Sequence, residues 1–248
     1  MIPLAFFTLV NIVLESIKMF PYASGPMIFR EILKHVLFYP WGALWFVQAC
    51  IIGALLLYPF VKREKIHLAI FVSAVLYLWA LLCNNYFFVV QGTAFEPYIQ
   101  VYMNLCISAR NGLFVGFVYL AIGFYIAKKQ MNISNLLVIG AFVLYLLEII
   151  LLKNKAFLDD SALYVSQLIV VPIIFVKSLN MTLKISNQFS LMLRNFSVGI
   201  YLLHRPIISF FDILGVDYIP RTFVVSVVCV GICYLVYKEN GIARKILF

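Results

Sequence analysis

The sequence predicts an all-α protein, a polytopic membrane helix bundle of about eight transmembrane helices, and three observations predict it. First, of 248 residues 65% are hydrophobic and 12% charged, with a mean hydropathy of +1.03, whereas a soluble domain carries about a quarter charged residues. Second, polar punctuation divides the chain into apolar runs close to the roughly 20 residues that a helical span needs. Third, those runs do not alternate apolar with polar residues and are too long for barrel strands. No polar stretch is long enough for a separate soluble domain, so one transmembrane domain is expected over 1–248.

The runs are 3–20, 41–61, 66–90, 108–127, 133–152, 161–176, 195–214 and 220–237. The first has no cationic stretch before it and is interrupted by Asn11 and Glu15, so it reads as a span and not as a secretory signal. The second opens on Trp41 and Trp45, rings suited to the headgroup level. The third follows the turn Lys62-Arg63-Glu64-Lys65 and carries Asn84 and Asn85 near its far end. Arg110 and Asn111 open the fourth, where Gly112 and Gly116 form a small-xxx-small pair that lets another helix approach closely. Glu148 lies late in the fifth, the pair His204-Arg205 inside the seventh, and Cys229 and Cys233 on one face of the eighth.

Cations test the count, because short cytoplasmic loops retain Lys and Arg. With eight spans both termini share a side, which then holds Lys62, Arg63, Lys65, Lys128, Lys129, Lys177, Lys184, Arg194, Lys238, Arg244 and Lys245. The opposite loops hold only Arg30, Lys34, Lys153 and Lys155. Both termini are therefore expected in the cytoplasm, and the net charge of +9 reads as a topology signal with attraction to anionic lipid. No basic stripe with interleaved aromatics lies outside the runs, so no nucleic-acid partner is expected. Three Asn-X-Ser/Thr patterns, at Asn132, Asn180 and Asn195, fall on the expected cytoplasmic side and are discounted as glycosylation sites.

Polar groups within a span cost several kcal/mol and so mark candidate functional positions. Here they are Gln48, Asn84, Asn85, Glu148, His204, Arg205 and, at a span's opening, Arg110 and Asn111. Ser197, Tyr201 and His204 fall at i, i+4 and i+7 and share one helix face. His204 lies ten residues past Arg194, about 15 Å into the bilayer. The stripe reads either as the wall of a wet, polar cavity or as a helix–helix hydrogen-bond seam; Pro206 would loosen the helix beside it. Glu148 reads as a partner of Arg110 or Arg205, or as an ordinary group near the outer interface. His35 and His67 read as interfacial residues, and the five cysteines as packing groups with no disulfide framework. No metal-ligand spacing, Ser-His-Asp order or Gly-rich phosphate loop is present, so neither a metal nor a bound cofactor is expected.

At Ser197, Gly199-Ile200-Tyr201-Leu202-Leu203-His204 and Pro206 the chain resembles a late span of the membrane-bound acyltransferase 3 family. Three further stretches agree in order: Leu44-Trp45-Phe46-Val47 followed by Leu56-Leu57-Tyr58-Pro59; Arg110-Asn111-Gly112-Leu113-Phe114 continuing to Ile122-Gly123; and Met1-Ile2-Pro3-Leu4 with Phe6-Phe7. The resemblance implies an integral membrane O-acyltransferase that moves an acyl group, acetyl in the first instance, from cytoplasmic acyl-CoA to a hydroxyl of a cell-envelope saccharide or lipid-linked glycan. It places the protein in a bacterial inner membrane. Ser197, Tyr201, His204, Arg110 and Trp45 would then bind substrate along the transfer tunnel. The family commonly has ten core spans, so eight imply an amino-terminal truncation of two, and the family's catalytic His would lie upstream of Met1. Ala43 stands where many members place a polar residue. A small multi-pass transporter or flippase-like protein is the alternative, with the stripe as its substrate path.

Overall fold

The computed structural model describes residues 2–42, 44–129, 131–153, 155, 162–181, 185–215, 221–238 and 247. Ala43, Lys184, Arg244, Lys245, the run ends at 161 and 220, and the side chains of Ile2, Leu4 and Arg221 lie outside the described residues. Ten α-helices follow in order among those described: α1 (Ile2–Met19), α2 (Gly25–Leu37), α3 (Leu44–Lys62), α4 (Ile66–Leu82), α5 (Glu96–Cys106), α6 (Phe117–Lys128), α7 (Asn135–Leu152), α8 (Gln167–Leu179), α9 (Asn187–Ile213) and α10 (Arg221–Lys238). Each expected run overlaps one α-helix, and the described residues contain no strand. The helices α3, α7 and α9 are long and apolar enough to cross a membrane, and four shorter apolar helices accompany them. The protein is an all-α membrane helix bundle.

Two of the helices are not spans. α2 and α5 occupy stretches that hydropathy marks only as loops, because each is short and mixes polar with apolar positions. α2 starts after Ser24 with Pro26 in its first turn, where a missing N–H costs nothing. Exposed Phe29, Leu33, Val36 and Leu37 line one side of it, and Glu31 pairs with Lys34 at 3.0 Å. In α5, Glu96 sits in the first turn, where a carboxylate suits the helix dipole, and accepts from Gly92 N at 2.6 Å. The third run also ends early: α4 stops at Leu82, and a 3-10 turn at Phe87–Val89 follows. α9 starts eight residues before its expected onset, capped by Ser186 Oγ accepting from Phe189 N.

The chain forms two compact units. In the first, 1–47 with 183–248, α9 packs against α10 and α1, and α1 against α2. Phe7, Leu44, Leu202 and Cys233 make its apolar centre, and Cys229 and Cys233 are fully buried packing thiols. In the second, 48–182, α4 packs against α6 beside a core that includes Tyr77, Phe114 and Val118, and α7 packs against α8. The glycine pair behaves as the spacing predicts: a Cβ at Gly116 would lie 2.2 Å from Ala49 O on α3, and one at Gly112 2.3 Å from Ile52 Cβ.

Candidate functional site

Within the first unit, the α9 face begins with Ser197, whose Oγ donates to Leu193 O at 2.9 Å. Tyr201 meets Phe46 edge-on at 6.1 Å and lies 6.0 Å from the His204 ring. The helix runs through Pro206 to Ile213; Pro206 has no N–H to give the carbonyl one turn back, a loss that a membrane helix tolerates where packing supports it, and Pro206 is buried. His204 Nδ1 lies 3.1 Å from Ile200 O. A carbonyl only accepts, so Nδ1 carries the proton and Nε2 of the neutral ring keeps its lone pair.

Opposite this face stands an aromatic layer from the segment before α3. His35 stacks on Trp41 at 4.2 Å and its Nδ1 bonds Tyr39 O at 2.7 Å; Tyr39 stacks on Trp45 at 6.1 Å, and Trp45 meets Phe46 edge-on. Trp45 thus reaches Tyr201 through Phe46. A cleft of about 490 Å³ lies between the two, lined by Ser197, Val198, Tyr201 and Leu202 on α9 and by Phe46, Val47 and Pro3. It is mainly apolar, where the stripe suggested a wet and polar cavity, because Ser197 Oγ is turned to its own helix and the other walls are hydrocarbon. His204 is not among the lining residues.

Above His204 the unit holds a second polar set that the hydropathy of single spans does not single out. Asn11, Glu15 and Lys18 repeat at i, i+4 and i+7 on α1, and Arg205, Ser209 and Asp212 at the same spacing on α9. The two rows meet. Ser209 Oγ donates to Glu15 Oε1 at 2.7 Å, Lys18 Nζ lies 3.1 Å from both Glu15 Oε2 and Asp212 Oδ2, and Arg205 Nη2 lies 3.9 Å from Glu15 Oε1. Glu15 against Ser209 and Lys18 against Asp212 fix α1 and α9 as parallel. Asn11 Oδ1 and Arg205 Nε are buried with no partner among the described residues. Gly42, at φ +68°, lets the chain cross directly over the Arg205 stem: a Cβ there would sit 2.2 Å from Arg205 Cγ. The signal in the sequence is a pair of rows at helical spacing, whereas one span at a time shows Asn11 and Glu15 only as interruptions.

Glu148, Asn84 and Arg110 belong to the second unit, where the first two serve backbone. Glu148 accepts from Tyr86 Oη and, at 2.7 Å each, from Val165 N and Ser166 N, so neither arginine is the partner the structure gives it. Asn84 Oδ1 accepts from Ala162 N and Leu163 N, and Tyr77 Oη donates to Tyr164 O at 3.0 Å. These side chains stitch down the non-helical stretch before α8. Arg110 has its N and Nε 3.2 and 3.5 Å from Ser108 Oγ. It sits between Ile107, a β-branched residue at φ +67°, and a π turn at Gly112–Gly116 that Asn111 caps through Leu113 N and Phe114 N. Strained positive-φ backbone and π turns both cluster at functional sites. Among the described residues no three His, Cys, Asp or Glu side chains come together as a metal site.

A family model described as an acyltransferase domain, that of acyltransferase 3, matches residues 1–238. The chain belongs to the acyltransferase 3 family. No curated protein and no solved structure matches it. The match supports a membrane acyltransferase-like role, and acyl transfer in general asks for a proton acceptor and for a donor or cation near the developing oxyanion. The acceptor-type group on the α9 face is His204 Nε2; the nearest cation in sequence, Arg205, is engaged by Glu15.

Proposed function

We propose that the protein is an integral membrane O-acyltransferase that moves an acyl group, acetyl in the first instance, from cytoplasmic acyl-CoA to a hydroxyl of a cell-envelope saccharide. The family match supports the reaction class. The observation that carries the site is the locked His204 ring: with Nδ1 bonded to Ile200 O, Nε2 is free to accept a hydrogen bond from a substrate hydroxyl. In this reading the hydroxyl oxygen attacks the thioester carbonyl, a C–O bond forms, the C–S bond breaks, and the proton leaving the hydroxyl ends on the departing thiolate. His204 orients the hydroxyl, while the apolar cleft at Phe46, Val47 and Leu202 takes the acyl chain and excludes water. Trp45 fixes Phe46. The orientation follows from the cation asymmetry, with both termini in the cytoplasm of a bacterial inner membrane.

The test is label transfer from radiolabelled acetyl-CoA to saccharide in membranes of a producing host. His204→Ala should lower incorporation by about a hundredfold, the scale of a lost positioning contact. Undiminished incorporation would remove His204 from the site.

A further inference from the structure

Within the second unit the loop between α6 and α7 meets the carboxyl end of α8, and two openings lie side by side there. The first is polar, a cleft of about 650 Å³ with Lys129, Asn132 and Asn180 on its walls. Its rim is tied by Asn180 Nδ2, which donates to Met131 O at 2.8 Å, and Ile126, Ile133 and Val176 are buried together beside it. The second is apolar, a groove of about 390 Å³ between α7 and α8, lined by Leu136, Gly140, Leu144, Ile169 and Ile173, with Ser134 at the end nearest the loop. Both volumes lie within the range of small-molecule sites. Ile133 joins the two. It stands between Asn132 of the cleft and Ser134 of the groove, it packs with Val176 of the cleft and Ile173 of the groove, and its carbonyl accepts from Lys177 Nζ at 3.4 Å. The groove has room along its length: a Cβ at Gly140 would meet nothing within 4 Å, and α7 rises about 12 Å from Leu136 to Leu144.

The charge at this junction is one-sided. Lys128, Lys129 and Lys177 fall in the segments 126–134 and 173–181, which contain no Asp or Glu. The carboxyl ends of α6 and α8 and the amino end of α7 meet here, and between them they leave only about half a negative charge. Lysines and amides donate to phosphate oxygens, and basic pockets beside membrane helices suit anionic headgroups. A free phosphate would use the cleft and leave the groove empty. A neutral lipid would use the groove and leave the lysines unanswered. We infer that this unit binds an anionic phospholipid, with its phosphate in the Lys129 cleft and one acyl chain along the groove between α7 and α8. Such a site needs nothing from the first unit and stands whether or not the chain transfers acyl groups.

The experiment titrates tail-labelled phosphatidylglycerol and phosphatidylcholine onto the purified full chain in detergent and reads fluorescence anisotropy. Phosphatidylglycerol should bind the tighter of the two. Lys129→Gln and Lys177→Gln should each weaken it by about fivefold, and together by roughly twenty-five-fold, whereas Arg at the same positions should preserve it. Gly140→Leu, which fills the groove, should weaken it as well, and Lys238→Gln, in the first unit, should change nothing. Equal affinity in the wild type and the double Gln variant, or for the two lipids, would overturn the site. Weakening by Lys238→Gln to the same extent would reduce the effect to general surface charge and overturn it too. Displacement of the label by an equal concentration of glycerol phosphate would assign the cleft to a free phosphate and overturn the lipid. Unchanged binding in Gly140→Leu would overturn the placement of the acyl chain.

Discussion

His35 shows how one residue's surroundings become a measurable property. Burial against Trp41 holds its imidazolium below the ordinary 6.5, outweighing the Tyr39 carbonyl, Glu31 and Glu15, which favour the charged form; Lys34 acts with burial. The unfolded chain then binds the proton more readily than the folded one just below pH 6.5. Stability contributed by the neutral ring is thus present above that pH and lost as the pH falls through it. Thermal unfolding in detergent should show the melting temperature dropping between about pH 7.5 and 5.5. His35→Phe, which keeps the stack and cannot titrate, should flatten that dependence. At the same scale His204 was legible from spacing alone, as a group on one face with Ser197 and Tyr201. Its ring's tether to Ile200 O was not, because an i−4 bond to backbone leaves no mark on residue type.

Between elements, the paired rows of α1 and α9 carry the polar packing. A buried ion pair broken on one side leaves an uncompensated charge and costs several kcal/mol, although pairs between membrane helices measure lower, about 1 kcal/mol. Glu15→Gln should therefore destabilise the chain by about 2 kcal/mol, because Glu15 answers Ser209 and Arg205 and shares Lys18 with Asp212. Lys18→Asp should lower the melting temperature by itself and recover most of the loss when joined to Asp212→Lys; no recovery would show that Lys18 and Asp212 do not pair. The glycines of the second unit give a sharper contrast. Gly116→Ala would push a methyl onto Ala49 O and should cost several degrees, whereas Gly123→Ala, with nothing within 4 Å, should be neutral or stabilising. The sequence made the spans legible because bilayer thickness fixes their length. α2 and α5 were hidden because a short amphipathic helix has neither that length nor that hydropathy. The α1–α9 seam was readable in principle: its two rows share the spacing of the α9 stripe, and only testing pairs of helices together shows that they match.

At the scale of the whole molecule, a family match over 1–238 and an all-helical membrane bundle fix the class of protein. Of the expected site residues, Ser197, Tyr201, His204 and Trp45 belong to the first unit, and Arg110 to the second, beside Ile107 at positive φ and a π turn. That division was not legible, since motif order along a chain says nothing about which helices pack. The most direct measurement of the central claim replaces the α9 stripe with Leu at positions 197, 201 and 204 and follows transfer of labelled acetyl from acetyl-CoA to envelope saccharide. If the face takes part in acyl transfer, the Leu variant should keep its helicity and membrane insertion and lose transfer by about a hundredfold or more. A correctly inserted Leu variant that transfers acetyl at the wild-type rate would contradict that role and leave the stripe as helix packing.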